Sequence, residues 1–166
     1  AREKIAGKYA IANSTTNIGN GGCNTCPTGW PVTGAVTITN RPGESFTHRG
    51  IWKHSIDLSL VEGTEIYATH SGTVQTANTG DFGYGTHIYL KSPMGFTSIY
   101  GHLSGFAVEN GATVQAGDLI GYSGDTGNST GPHLHYEFRI GGTCQGQPLK
   151  MKPPFTPYYV PYDPSY

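Results

Sequence analysis

Charge is scarce in this chain. Only 13% of its residues are Asp, Glu, Lys or Arg, the formal net charge is −1, and no run of like charge occurs. A nucleic-acid groove or a polybasic membrane patch needs clustered cations, so neither kind of partner is expected. Long apolar stretches are missing as well, and none approaches the ~20 residues that span a bilayer as a helix. Cysteine is limited to three residues, Cys23 and Cys26 in CNTC and Cys144. An odd number cannot pair completely, and a four-cysteine zinc site is ruled out. A redox CxxC would sit beside a βαβ unit, which the sequence does not suggest. What is left is a structural disulfide tying Cys144 to the amino-terminal region, its pairing open. The chain starts AREKIAGKYA, with neither a methionine nor the apolar stretch of a signal peptide, as expected of a mature product or an excised domain.

Glycine (25), proline (11) and tyrosine (11) are plentiful. Glycine and proline break helices and build turns, so short strands are the elements such a chain can form. A length of 166 residues suits one domain with a real core. The expected fold is therefore mainly β, a compact antiparallel sheet domain. Residues 1–29, rich in Asn, Gly, Thr and Ser, form an irregular segment or linker. The strands occupy 30–145, and 146–166 is an extension too rich in proline for a central strand.

WPVTGAVTITN (Trp30–Asn40) has the β-branched content of a first strand. RPGESFTHRG is a loop. HSIDLSL alternates, with Ser55, Asp57 and Ser59 on one face and Ile56, Leu58 and Leu60 on the other. EGTEIYATHSGTVQTAN gives two short strands around His70–Gly72. Thr86–Lys91 and Phe96–His102 form a hairpin through Ser92–Gly95, and GATVQAGDLIGYSGDTG supplies two more short strands. GPHLHYEFRI then places His133, His135, Glu137 and Arg139 on one face, with neighbours roughly 6–7 Å apart, and Leu134, Tyr136, Phe138 and Ile140 on the other.

Two histidines at such spacing allow one to bind a metal while the next reaches a water beside it. Further candidates are His48, His54, Asp57 and His102. Histidine and carboxylate are ordinary zinc ligands, and a catalytic zinc keeps three of them. Here the sequence resembles the lysostaphin-like (LytM-type) zinc endopeptidases that cut peptidoglycan cross-links. GYSGDTGNSTGPHLHYEFR, YGHLS about thirty residues upstream, EGTEIYATHSGTV and GATVQAGDLIGYSG all fit that family, in its order, over roughly residues 30–140. The resemblance implies a substrate groove in the antiparallel β-sheet domain, a Zn²⁺ cofactor, a peptidoglycan peptide as partner and substrate, and a secreted, periplasmic or wall-associated setting. It also implies that Asp57 and His135 are zinc ligands and that His102 and His133 are the catalytic histidines.

The family's common HxGxD form would put a histidine at position 53, where this chain has Lys53. His48, in HRGIWKHSID, fits relatives with an insertion at this point and is the favoured first ligand. His54 is the alternative, but strand alternation puts it on the face opposite Asp57. The departure at Lys53 keeps open a second function, a catalytically inactive LytM-like module that binds or activates wall hydrolases. A biotinyl- or lipoyl-carrier domain, suggested by VQAGDLIGYSG, lacks the lysine at its hairpin tip. Glu137 is read as orienting a ligand or as a solvated rim residue, and Tyr100 as pointing with His102 or packing. His70 and His87 are read as surface or structural residues. Gly127–Thr130 make a small-residue loop that admits a peptide or simply turns.

Overall fold

The structure, a computed structural model, describes residues 30–33, 36–40, 55–93 and 95–140. His48, His54, the three cysteines, residues 1–29 and the 146–166 extension lie outside them. The described residues form no helix. They make nine strands: β1 (Thr37–Asn40), β2 (Ser55–Ser59), β3 (Glu65–Tyr67), β4 (Gly72–Asn78), β5 (Thr86–Lys91), β6 (Phe96–Phe106), β7 (Thr113–Val114), β8 (Leu119–Ser123) and β9 (His133–Ile140). All pairings are antiparallel. The main path runs β1-β2-β9-β6-β5-β4-β7, while β8 pairs with β6 and carries β3. The expected β fold is the one observed.

Alternation decides which face is core. Ile56 and Leu58 of β2 pair with Tyr136 and Leu134 of β9, and all four are buried. Tyr100 pairs with Tyr136 across β6 and β9, and also with Ile88 of β5. Burying each large aliphatic side chain of this cluster contributes about 1.5–3 kcal/mol. The expected first strand is shorter than its sequence suggests. Pro31–Thr33 bend rather than extend, although Trp30 and Val32 still enter the core, and regular pairing is seen from Thr37. Strand β6 instead outruns its expected end at His102 and continues to Phe106, where it pairs with β8.

The core also holds a hydroxyl cluster. Thr69 Oγ1 lies 2.6 Å from Tyr136 Oη and 3.0 Å from Tyr100 Oη, and Ser98 Oγ donates to Tyr100 Oη at 3.2 Å. His70 joins through Nε2, 2.7 Å from Ser98 Oγ, while its Nδ1–H donates to the Ser71 carbonyl at 2.8 Å. His70 is thus fully buried and structural. Burial lowers its pKa from 6.5 to about 4. The folded protein keeps His70 neutral, whereas the unfolded chain takes up a proton below pH 6.5. His70's contribution is therefore complete above pH 6.5 and is lost as pH falls toward 4. Urea melts at pH 7.5 and 4.5 should show wild type losing about 2 kcal/mol more than His70→Gln over that interval. Equal losses would place the acid sensitivity elsewhere.

Candidate active site

The register of β2, β9 and β6 assembles the centre of the site. Asp57 is directly opposite His135, Ser59 opposite His133, and Ser55 opposite Glu137. On the far side of β9, His135 faces Gly101. Directly opposed residues point to the same side of a sheet, so the polar row of β9 and that of β2 share a face. Asp57 Oδ1 lies 3.0 Å from His135 Nδ1 and 3.7 Å from His133 Nε2. Asn40 Nδ2 donates to the other oxygen, Oδ2, at 3.1 Å. Asp57 and His135 are both buried, at 8% and 6% exposure.

His102 joins the site only through an irregular backbone. Simple alternation would send it to the core face with Tyr100. Its φ is +60°, the left-handed region, which costs a side-chain-bearing residue about 1–2 kcal/mol. A register shift in β6 accompanies this turn. The His102 ring comes to rest with its centroid 4.6 Å from that of His133 and 5.9 Å from that of His135. Its backbone N–H donates to Tyr84 O at 2.8 Å, and its Nδ1 lies 2.7 Å from Thr126 O. The loop that presents Thr126 needs a glycine next to it. Gly127 has φ +76°, and a Cβ there would sit 2.3 Å from Gly85 N.

Carbonyl acceptors fix the tautomers. A carbonyl oxygen can only accept, so His102 Nδ1 carries its proton toward Thr126 O, and Nε2 keeps the lone pair. His133 is arranged the same way, its Nδ1–H donating to Gly131 O at 2.8 Å with Ser129 Oγ 3.2 Å away. Burial, reinforced by the neighbouring His133, lowers the His102 pKa from 6.5 to about 4.

His135 lies between two carboxylates, its Nε2 3.2 Å from Glu137 Oε2 and its Nδ1 3.0 Å from Asp57 Oδ1. Glu137 is fully buried, not a rim residue. Burial alone would raise its pKa, but donors from His135, Tyr84 and Arg139 outweigh it and hold the carboxyl below its usual range. Burial likewise works against protonation of His135, and its bonds to Asp57 and Glu137 more than offset that, so its pKa is raised. With Nε2–H on Glu137, Nδ1 and Asp57 Oδ1 stand 3.0 Å apart and need a cation between them, either a proton or a metal ion. A metal ion fits that requirement, and the donors are of the type zinc takes. Among the described residues no three His, Cys, Asp or Glu side chains form a complete metal cluster. Both candidates for a third ligand, His48 and His54, lie outside them.

Other sequence candidates fall elsewhere. Tyr100 packs on the core face, edge-to-face with Tyr136 at 5.2 Å. His87 is buried, its Nδ1–H donating to Gly85 O at 2.8 Å. The sequence reading missed the parts played by Tyr84, Asn40 and Thr126. Each reaches the site from a loop or strand end, and no periodic pattern marks such positions.

The sequence profile of peptidase family M23 matches residues 52–150. The chain belongs to peptidase family M23. An uncharacterized metalloprotease of Haemophilus influenzae is 40% identical over 126 residues, 76% of this chain and 23% of that protein. The peptidoglycan DD-endopeptidase ShyC of Vibrio cholerae is 36% identical over 100 residues, 60% of this chain and 22% of ShyC. The crystal structure of a zinc-containing peptidase from Vibrio cholerae superposes with a TM-score of 0.56 at 28% identity, covering 66% of this chain and 35% of that one. The chain thus spans about a quarter or less of these curated relatives' length. Its sheet is the M23 fold, and the Asp57–His135 pair lies within the matched residues.

Proposed function

We propose that this chain is a zinc-dependent endopeptidase domain that hydrolyses peptide cross-bridges or stem peptides of bacterial peptidoglycan. In this reading His48, Asp57 and His135 hold the metal, and His102 and His133 are the acid–base pair. The observation that carries it is the sorting of the three histidines at the site, His102, His133 and His135. His102 and His133 keep Nε2 free of protons, and His135 presents Nδ1 beside Asp57. Support also comes from the family, from a relative that acts on peptidoglycan and from a structural neighbour that contains zinc.

When bound, zinc would polarise the scissile carbonyl and lower the pKa of a water toward ~7. The protein's own residues do the rest. One of His102 and His133 takes the proton of the attacking water on Nε2, and the Nε2–H so formed donates to the oxyanion. Thr126 O and Gly131 O hold the two rings so that neither Nε2 turns away. Peptidoglycan lies outside the cytoplasm, so the domain acts in a secreted, periplasmic or wall-associated protein.

Purified peptidoglycan tests this directly. New amino termini should appear without new reducing sugar ends, stop on chelation and return with added zinc. Reducing ends alone would identify a glycosidase and end the peptidase reading. Zinc bound with no release of either kind, from several wall types, would establish the non-catalytic module instead.

A further inference from the structure

Behind His135 stands a second, fully bonded group of side chains. Glu137 Oε2 takes the Nε2 side of His135 at 3.2 Å and also accepts from the Tyr84 hydroxyl. Its other oxygen, Oε1, accepts from Arg139 Nε at 2.9 Å. Arg139 Nη2 closes the ring by donating to Tyr84 Oη at 3.1 Å. Glu137 is fully buried, while the Arg139 side chain is 48% exposed. A buried carboxylate with this many donors is held in one orientation.

Tyr84 ties this group to the rest of the site. Its ring packs 5.3 Å from the His135 ring, and its carbonyl accepts the His102 backbone N–H. The space for that ring exists because position 101 has no side chain. A Cβ there would come within 3.3 Å of both His135 Cβ and Tyr84 Cδ1. His135 is therefore gripped from the side away from Asp57, with a carboxylate at each ring nitrogen.

We propose that Glu137, clamped by Arg139 and Tyr84, is a positioning residue that fixes His135 as the Nε2–H tautomer and so presents Nδ1 beside Asp57 as a metal donor. This rests on the zinc reading above. Outer partners of this kind orient a ligating imidazole and raise its basicity, and their loss typically weakens metal binding about 10–100-fold.

The test is zinc affinity of the whole protein, measured by competition with a chromophoric chelator, with the melting midpoint of the zinc-free protein as a control. Glu137→Gln should weaken zinc about 10–100-fold. Arg139→Met, at a half-exposed position that tolerates change, should weaken it in the same direction by a smaller factor, and Arg139→Lys should recover part of that loss. A merely structural role would lower the zinc-free midpoint and leave affinity in the folded fraction unchanged. A second readout is the ring Nε2 proton of His135 in the zinc-free protein, followed by ¹⁵N-detected NMR. It should be protected from exchange in wild type and lose protection in Arg139→Met. Zinc affinities equal to wild type in both Glu137→Gln and Arg139→Met would overturn the proposal. If wild type itself bound no zinc, the functional reading would fail instead, and an unprotected Nε2 proton in wild type would separately refute the assignment to Glu137.

Discussion

Asp57→Ala is expected to leave the protein folded, without zinc after dialysis, and at least about 10³-fold slower on peptidoglycan. The size follows from losing the several kcal/mol that a Lewis acid supplies, at 1.36 kcal/mol per factor of ten. Asp57 sits mid-strand in β2, held by pairing on both edges, to β1 and to β9. The backbone therefore does not depend on its side chain. The carboxylate bridges Asn40 on one oxygen and His135 on the other. Removing it takes away the carboxylate that faces His135 Nδ1 and leaves Glu137 on the far nitrogen untouched. Zinc content measured by atomic absorption, together with release of amino termini, reads both effects. The same assay separates the two candidate ligands outside the described residues: His48→Ala should empty the site, while His54→Ala should leave most of the metal. A zinc-replete Asp57→Ala protein would take Asp57 out of the ligand set, and the reverse outcome for the two histidines would exchange their roles.

Period-two reading of HLHYEFRI and SIDLS grouped His135 with His133 and Asp57 with Ser55 and Ser59, each on its own strand. Strand direction is a local property, and an antiparallel register only had to bring the two rows together. Leu134, Tyr136, Ile56 and Leu58 were legible as core for the same reason. Alternation fails where the backbone leaves the β region. Nothing in IYGHLS announces a left-handed histidine, and alternation alone would have buried His102 beside Tyr100. Burial of polar groups was equally hidden. Glu137 is indistinguishable in sequence from a solvated rim residue, because its partners Tyr84 and His135 lie 53 and 2 residues away and only the fold brings them together. The hydroxyls of Thr69, Ser98, Tyr100 and Tyr136 satisfy one another inside the core, which is why Thr69 and Ser98, polar by type, are interior. Proline explains the shortened first strand, since Pro31 has no N–H to give to a neighbouring strand.

His102→Asn and His133→Ala are expected to keep zinc and to lose ~10²–10⁴ in turnover, the usual cost of removing an acid or base. This separates them from the ligand variants, in which metal and turnover disappear together. Asparagine is the instructive choice at position 102. The left-handed backbone there, at φ +60°, is what turns the side chain toward His133, and asparagine adopts that region more readily than most residues. His102→Asn therefore keeps the turn of β6 and its N–H bond to Tyr84 O while removing the imidazole Nε2. His102→Gly removes the strain as well, so its melting midpoint should fall less than that of His102→Ala even though turnover is equally poor. A stability loss that tracked the activity loss across the three variants would mean that His102 serves the fold. Near-wild-type turnover in His102→Asn or in His133→Ala, with zinc retained, would remove that histidine from the proton transfers. The remaining imidazole would then have to serve alone, with Nε2 as its one exchangeable position and Nδ1–H still bound to its carbonyl.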